Sequence, residues 1–141
     1  MKRALLLIDL QNDFCPGGAL AVTDGDATIA VANRLASEFR QRGETVIASQ
    51  DWHPAQHGSF ASVAGAAPYS VGELNGLPQL WWPDHCIQPS PGAAFPPQPN
   101  LTLDRAAFPQ RASVSTCTYR PFFYTGQERK DVVAGKRVDS C

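Results

Sequence analysis

Ala4-Leu5-Leu6-Leu7-Ile8 is an unbroken apolar run that stops at Asp9; Thr45-Val46-Ile47-Ala48-Ser49 is a second, followed by Gln50, Asp51, Trp52 and His53. Short continuous apolar runs with polar ends read as strands covered on both faces. Between them, Ala27 to Arg42 reads as a helix, with Ile29, Ala32, Leu35 and Phe39 forming an apolar stripe at spacings of three and four. Asp26 stands where an N-cap would accept the free N–H groups of the first turn. Gly43 stands where a left-handed residue would end the helix. Strand, helix and strand at these lengths form a βαβ unit, so the two strands should be parallel. The C-terminal ends of parallel strands share one edge of the sheet, where open α/β folds bind ligands. Asp9 and Asp51, each one or two residues past an expected strand end, should therefore face one crevice.

Outside this unit the pattern weakens. Residues 54–100 are rich in Pro, Gly and Ala and read as mostly irregular, the kind of long connection that carries function. Leu101 to Leu103 reads as a weak strand that Ala106 to Phe108 extends, and from Pro109 onward the composition drifts. At 141 residues the chain is one domain with enough length to bury a core. A net charge of -1 offers no footprint for nucleic acid or an anionic membrane. No apolar run is long enough to span a bilayer. The start Met1 to Ile8 imitates a signal peptide, but Asp9 and the polar Gln11 to Asp13 end the apolar run early. Cys15, Cys86, Cys117 and Cys141 set no disulfide framework, so reduced thiols and a cytoplasmic location are expected.

All three histidines fall in polar clusters: His53 and His57 after the second strand, and His85 in Trp82-Pro83-Asp84-His85-Cys86. In an extended segment Asp51 and His53 project to the same side, while Trp52 projects to the other and can pack. Carboxylate with imidazole suits zinc first, and iron or manganese as well. His57 or His85 would supply the next ligand. Asp9 differs from these. A carboxylate directly behind an apolar strand is costly to bury unless it is paired or has a task. Without a cation its pKa should rise, which suits a general base. Asp13 and Asp84 read as loop anchors. Cys86 adjoins His85, but nothing near it in sequence would activate a thiol.

Three segments carry a resemblance: Arg3 to Leu20, with Ile8-Asp9-Leu10-Gln11-Asn12-Asp13-Phe14 at its centre; Ile47 to Phe60, with Asp51-Trp52-His53-Pro54; and Trp82-Pro83-Asp84-His85-Cys86. Together they resemble the nicotinamidase/pyrazinamidase family, within the isochorismatase-like cysteine hydrolases. The resemblance implies an α/β fold with a doubly wound parallel sheet. It implies metal-dependent hydrolysis of nicotinamide (and pyrazinamide) to the acid and ammonia, within NAD salvage. Asp9 would be the catalytic base; Asp51, His53 and His85 the metal ligands, with His57 as an additional one; and Phe14 an aromatic wall of the substrate pocket. A cysteine thiol would form a thioester with the substrate's acyl carbon, which water then hydrolyses. The expected partner is the small-molecule substrate, with no nucleic acid and no membrane, and self-association is allowed.

The resemblance has two breaks. Gln110, in Phe108-Pro109-Gln110-Arg111, stands where the family carries its catalytic lysine, and family register returns near Tyr119. The expected division is therefore 1–108, the N-terminal part of the hydrolase domain, and 109–141, a divergent tail produced by a frameshift or truncation after about residue 108. The nucleophilic cysteine belongs after a later strand, and neither Cys117 nor Cys141 has the right context. This leaves two other expectations open. One is an inactive fragment that binds metal or nicotinamide; the other is a non-enzymatic α/β interaction module.

Overall fold

The computed structural model describes residues 3–97 and the backbone of 108–111. Strand β1 is Ala4–Leu7, helix α1 is Ala27–Gln41 and strand β2 is Thr45–Trp52. β1 and β2 pair in parallel with Ala4 opposite Thr45 and Leu7 opposite Ala48. A further strand, which we label β5 in chain order, is Phe108–Arg111; it pairs in parallel with the far half of β2, giving the order β1-β2-β5. β2 is longer than its apolar pattern suggests because β5 carries the pairing through Ser49 to Trp52. Asp51 therefore lies within a strand rather than beyond its end. β5 runs across residues 108 and 109, and its register sets residue 110 beside Asp51. The expected strand at 101–103 falls outside the described residues.

α1 packs on one face of the sheet, where Leu7, Ala32, Ala36, Val46 and Ala48 form the core with Leu5 and Phe39 at its margin. The buried line of the helix is Ile29, Ala32 and Ala36, so Leu35, within the expected stripe, is not fully buried, whereas Ala36, outside it, is. A small side chain there lets the helix approach the sheet closely. Leu6 in β1 and Ile8 just past its end stay 43% and 38% exposed, so cover on both faces is not seen among the described residues.

The helix ends as expected. Gly43 is left-handed at φ 66. Its N–H bonds to the Arg40 carbonyl and that of Glu44 to Phe39, the pair of bonds that closes a Schellman motif. The start of the helix is different. Asp26 already has helical backbone angles and its side chain makes no capping bond. The preceding turn, with Asp24 at φ 54, supplies carbonyls instead: Asp24 accepts from Ala27, and Gly25 accepts from both the N–H and the hydroxyl of Thr28.

The segment expected to be irregular contains regular structure. Helix α2 is the single turn Ala61–Ala64, and β3 (Val71–Leu74) pairs antiparallel with β4 (Leu77–Leu80). Asn75 at φ 54 and Gly76 at φ 79 form the two-residue turn between them, a conformation that Asn-Gly favours. Among the described residues no helix is long and apolar enough to cross a membrane.

Candidate metal and acid–base site

The crevice forms where β1 and β2 deliver their chain to the same edge. Past β1, Asp9 adopts φ 51, an uncommon backbone state for a residue with a side chain, which turns the chain sharply. A 3₁₀ turn, Asn12–Phe14, follows. It is tied to the loop after His85: the Asn12 and Asp13 N–H groups bond to Ala94 and Gly92, and the Asn12 amide bonds to Pro91. The β2 side continues straight from Asp51 to His53, whose N–H bonds to Cys86 while its carbonyl accepts from Gln88. These two bonds bring residues 85–88 alongside His53.

Asp51, His53 and His85 converge. His53 Nε2 lies 2.8 Å from Asp51 Oδ1, and His85 Nε2 lies 3.2 Å from Asp51 Oδ2. One potential ligand atom from each of the three falls within 4.8 Å of the others, and all three residues are buried. Asp51 and His53 share a side, as alternation along a strand requires. His57 is fully buried beside them, its ring centroid 4.4 Å from that of His53, but its Nδ1 engages the Ser59 hydroxyl at 2.8 Å and it is not part of the three-residue group.

The donor set fits a divalent cation. His85 Nδ1 lies 2.6 Å from the Pro83 carbonyl, so the ring N–H is committed there. The Nε2 of the neutral ring then faces a carboxylate oxygen, lone pair to lone pair, and a proton or a cation must lie between them. His53 Nε2 faces the other carboxylate oxygen, but its buried Nδ1 meets no partner among the described residues, so in the cation-free site its proton can sit on Nε2 and be donated to Asp51. Two imidazoles and one carboxylate suit zinc, iron or manganese. Without a cation, burial pushes the Asp51 carboxyl up, but hydrogen bonds and charge from His53 and His85 override this and lower it to about 2. Burial lowers the His85 pKa, and the opposing bonds to Asp51 and Pro83 win, leaving it raised.

Asp9 shares the crevice but stands outside the group. It is 8% exposed. Its Oδ1 accepts the Ser49 hydroxyl at 2.7 Å, while Oδ2 is buried without a partner among the described residues. Burial pushes its carboxyl up to about 6; the Ser49 bond opposes the rise, the charge of Asp51 adds to it and that of His53 opposes it. A cavity of about 450 Å³ joins Asp9 to Asp51, His53 and His85, with Phe14 and Trp82 among its walls.

Asp13 and Asp84 do anchor loops. Asp13 accepts the N–H groups of Cys86 (2.6 Å) and Ala19 (3.2 Å), and Asp84 accepts the Ser62 hydroxyl at 2.6 Å. Cys86 is fully buried, and burial with the charges of Asp51, Asp13 and Asp9 drives its thiol well above the ordinary range. Burial and Asp26 also raise Cys15. Neither thiol is poised as a nucleophile, and Cys117 and Cys141 lie outside the described residues. Sequence reasoning passed over Gln11, Ser49 and Ser59. A glutamine or serine beside a strand end reads as ordinary loop chemistry until its burial is known.

The isochorismatase domain profile matches residues 3–118. The chain belongs to the isochorismatase domain family. Within that family it is 56% identical over 128 residues to a nicotinamidase of Escherichia coli (strain K12), covering 91% of this chain and 60% of that protein. The family fold is shared with a solved nicotinamidase pyrazinamidase of Acinetobacter baumanii (TM-score 0.60, 46% identity, 67% of this chain and 44% of that one). It is shared too with the pyrazinamidase of Pyrococcus horikoshii in complex with zinc (TM-score 0.59, 31% identity, 86% of this chain and 57% of that one). This isochorismatase-family chain thus has the expected α/β fold with a parallel sheet, and spans 60% of the length of its E. coli relative.

Proposed function

We propose that the chain carries the cation and base portion of a nicotinamidase centre, which hydrolyses nicotinamide (or pyrazinamide) to the acid and ammonia in NAD salvage. The observation that carries this reading is the placement of Asp9 in one crevice with the Asp51–His53–His85 group, its Oδ2 unpartnered and its carboxyl held at about 6. The names of the E. coli relative and of the zinc-bound Pyrococcus relative support both the substrate and the metal.

Asp51, His53 and His85 would hold zinc, or iron or manganese in its place, while His57 stands beside them with its Nδ1 on Ser59, outside the group. When bound, the ion supplies a Lewis-acidic point for a ring nitrogen or water. The Phe14 and Trp82 side chains line the cavity, and such aromatic walls suit a flat heteroaromatic amide. Asp9 receives the nucleophile's proton at Oδ2 and returns it to the departing nitrogen, so that the C–N bond breaks and ammonia leaves. In the cation-free protein burial raises that carboxyl to about 6, toward the range in which one group can both take and give a proton.

One observation favours a second reading, a chain that binds the amide without cleaving it. Neither Cys15 nor Cys86 is a competent nucleophile, so a thioester route needs a thiol outside the described residues. One experiment separates the readings. The zinc-loaded 141-residue chain is titrated with nicotinamide by calorimetry, and ammonia release is measured in parallel. Binding lost in Asp51→Ala is expected on both readings; ammonia release that Asp9→Asn abolishes would favour hydrolysis, and release at background would favour binding without cleavage. No binding at all would overturn the substrate assignment. Turnover abolished by Cys86→Ala would overturn the reading of that thiol.

A further inference from the structure

Gln11 is fully buried, and all of its amide's polar groups are engaged. Its Oε1 accepts the Asp51 N–H at 2.7 Å, and its Nε2 donates to the Asp51 carbonyl at 2.8 Å and to the Ala93 carbonyl at 2.8 Å. β1 ends at Leu7, so no strand residue lies there to pair with Asp51. The carboxamide has the same donor and acceptor as a peptide group, and it bonds both backbone groups of Asp51 as a strand neighbour would. The side chain thus continues the ladder past the end of β1 at the residue whose carboxylate bridges His53 and His85. The third bond ties that residue to the loop carrying Ala93, which the 3₁₀ turn also holds.

We propose that Gln11 is a positioning residue for the cation site, fixing Asp51 through both of its backbone polar groups and thereby setting the register of the ligands. This rests on the cation reading above. The backbone at Asp51 also leads to His53 two residues on, so a shift there would misplace two of the three ligands at once. Groups that orient ligands from outside the coordination shell typically change metal affinity by roughly 10–100-fold when removed.

Gln50 supplies a matched control. Its Nε2 donates to the same Ala93 carbonyl at 2.9 Å, from the residue next to Asp51, without bonding either backbone group of Asp51. A role confined to holding the Ala93 loop would make Gln11→Met and Gln50→Met alike. The test is cobalt(II) affinity of the full chain, measured by competition with a chromophoric chelator, together with the visible spectrum of the bound ion and circular dichroism. Gln11→Met should weaken binding at least about tenfold and alter the cobalt spectrum, while Gln50→Met stays within about twofold. Gln11→Asn, one methylene too short to reach Asp51, should weaken binding as Gln11→Met does, and decides the matter if the latter fails to fold. A folded Gln11 variant with wild-type affinity and spectrum would overturn the proposal. So would equal loss in Gln50→Met. Cobalt binding that is absent in the wild type, or that survives Asp51→Ala, would overturn the cation reading itself and this inference with it.

Discussion

Asp9→Asn should flatten the pH dependence of stability, and the structure fixes both the sign and the size. In the folded chain the Asp9 carboxyl is pushed up to about 6, above its ordinary value of 3.8. Between those two values the folded state holds a proton that the unfolded state has released. Stability therefore falls as pH rises through that window, and the loss is complete above the folded value. Two pH units of difference correspond to about 3 kcal/mol. Opening of the crevice to water would reduce this, so a change of about 2 kcal/mol is the safer expectation. Asparagine cannot ionise and has no such slope. Its own fit contributes a constant offset, because its amide replaces an oxygen that has no partner. The informative quantity is thus the difference between the two pH profiles and not the stability at one pH. The assay is urea unfolding of the chelator-treated wild type and variant at half-unit steps from pH 4 to pH 8. The wild type should lose about 2–3 kcal/mol relative to the variant across that range. Parallel profiles would show that Asp9 titrates as an ordinary exposed carboxylate, and the general-base argument would lose its physical basis.

The same Asp9→Asn variant should weaken cobalt binding by no more than about tenfold, since Asp9 lies outside the ligand group and acts on the ion only through its charge; a loss well beyond a hundredfold would move Asp9 into the coordination shell. Gly92→Ala should destabilise the chain by about 1–3 kcal/mol, because the added methyl group would overlap the Asp13 carboxylate that holds the Cys86 N–H. Thermal unfolding measures the loss, and a double variant with Asp13→Ala should lose less than the sum of the two; simple additivity would refute the clash.

The βαβ unit was legible because its signals are local. A five-residue apolar run, a stripe at three and four, and a glycine at a helix end all report backbone state directly. The Asp51-x-His53 pair was legible for the same reason, since alternation along a strand is a local rule. Residue type left the third member between His57 and His85, and the resemblance selected His85. The full length of β2 was hidden because Gln50 to Trp52 are strand only through a partner more than fifty residues away. Leu35 entered the stripe and Ala36 did not, because hydropathy does not report how closely a helix approaches its sheet. The β3–β4 hairpin was readable and missed: Asn75-Gly76 between short runs is a turn signal, obscured by Pro78 and by exposed apolar residues on either side. Gln11 was not readable at all. Its role depends on burial and on a gap in the ladder that exists only once the strands are placed.

Two aspartates in one crevice have been driven apart by their surroundings. Asp51 sits between two imidazoles, which stabilise its charge strongly enough to outweigh burial, and its carboxyl falls to about 2. Asp9 has burial without comparable compensation: one hydroxyl bond, one bare oxygen and the negative charge of Asp51 nearby, and its carboxyl rises to about 6. Neither residue could exchange roles with the other. A carboxyl near 2 would bind a proton too weakly to carry it between nucleophile and leaving group, and one without the two imidazoles beside it would lack the other donors a cation needs. The separation needs both features at once, since placing a cation near Asp51 also lowers the repulsion that Asp9 feels. Filling the cation site should therefore bring the Asp9 value down from about 6, so that the base is more fully ionised in the loaded protein than in the empty one. The division of labour is thus set by which carboxylate the histidines contact: both bond Asp51, whereas Asp9 feels only the charge of His53.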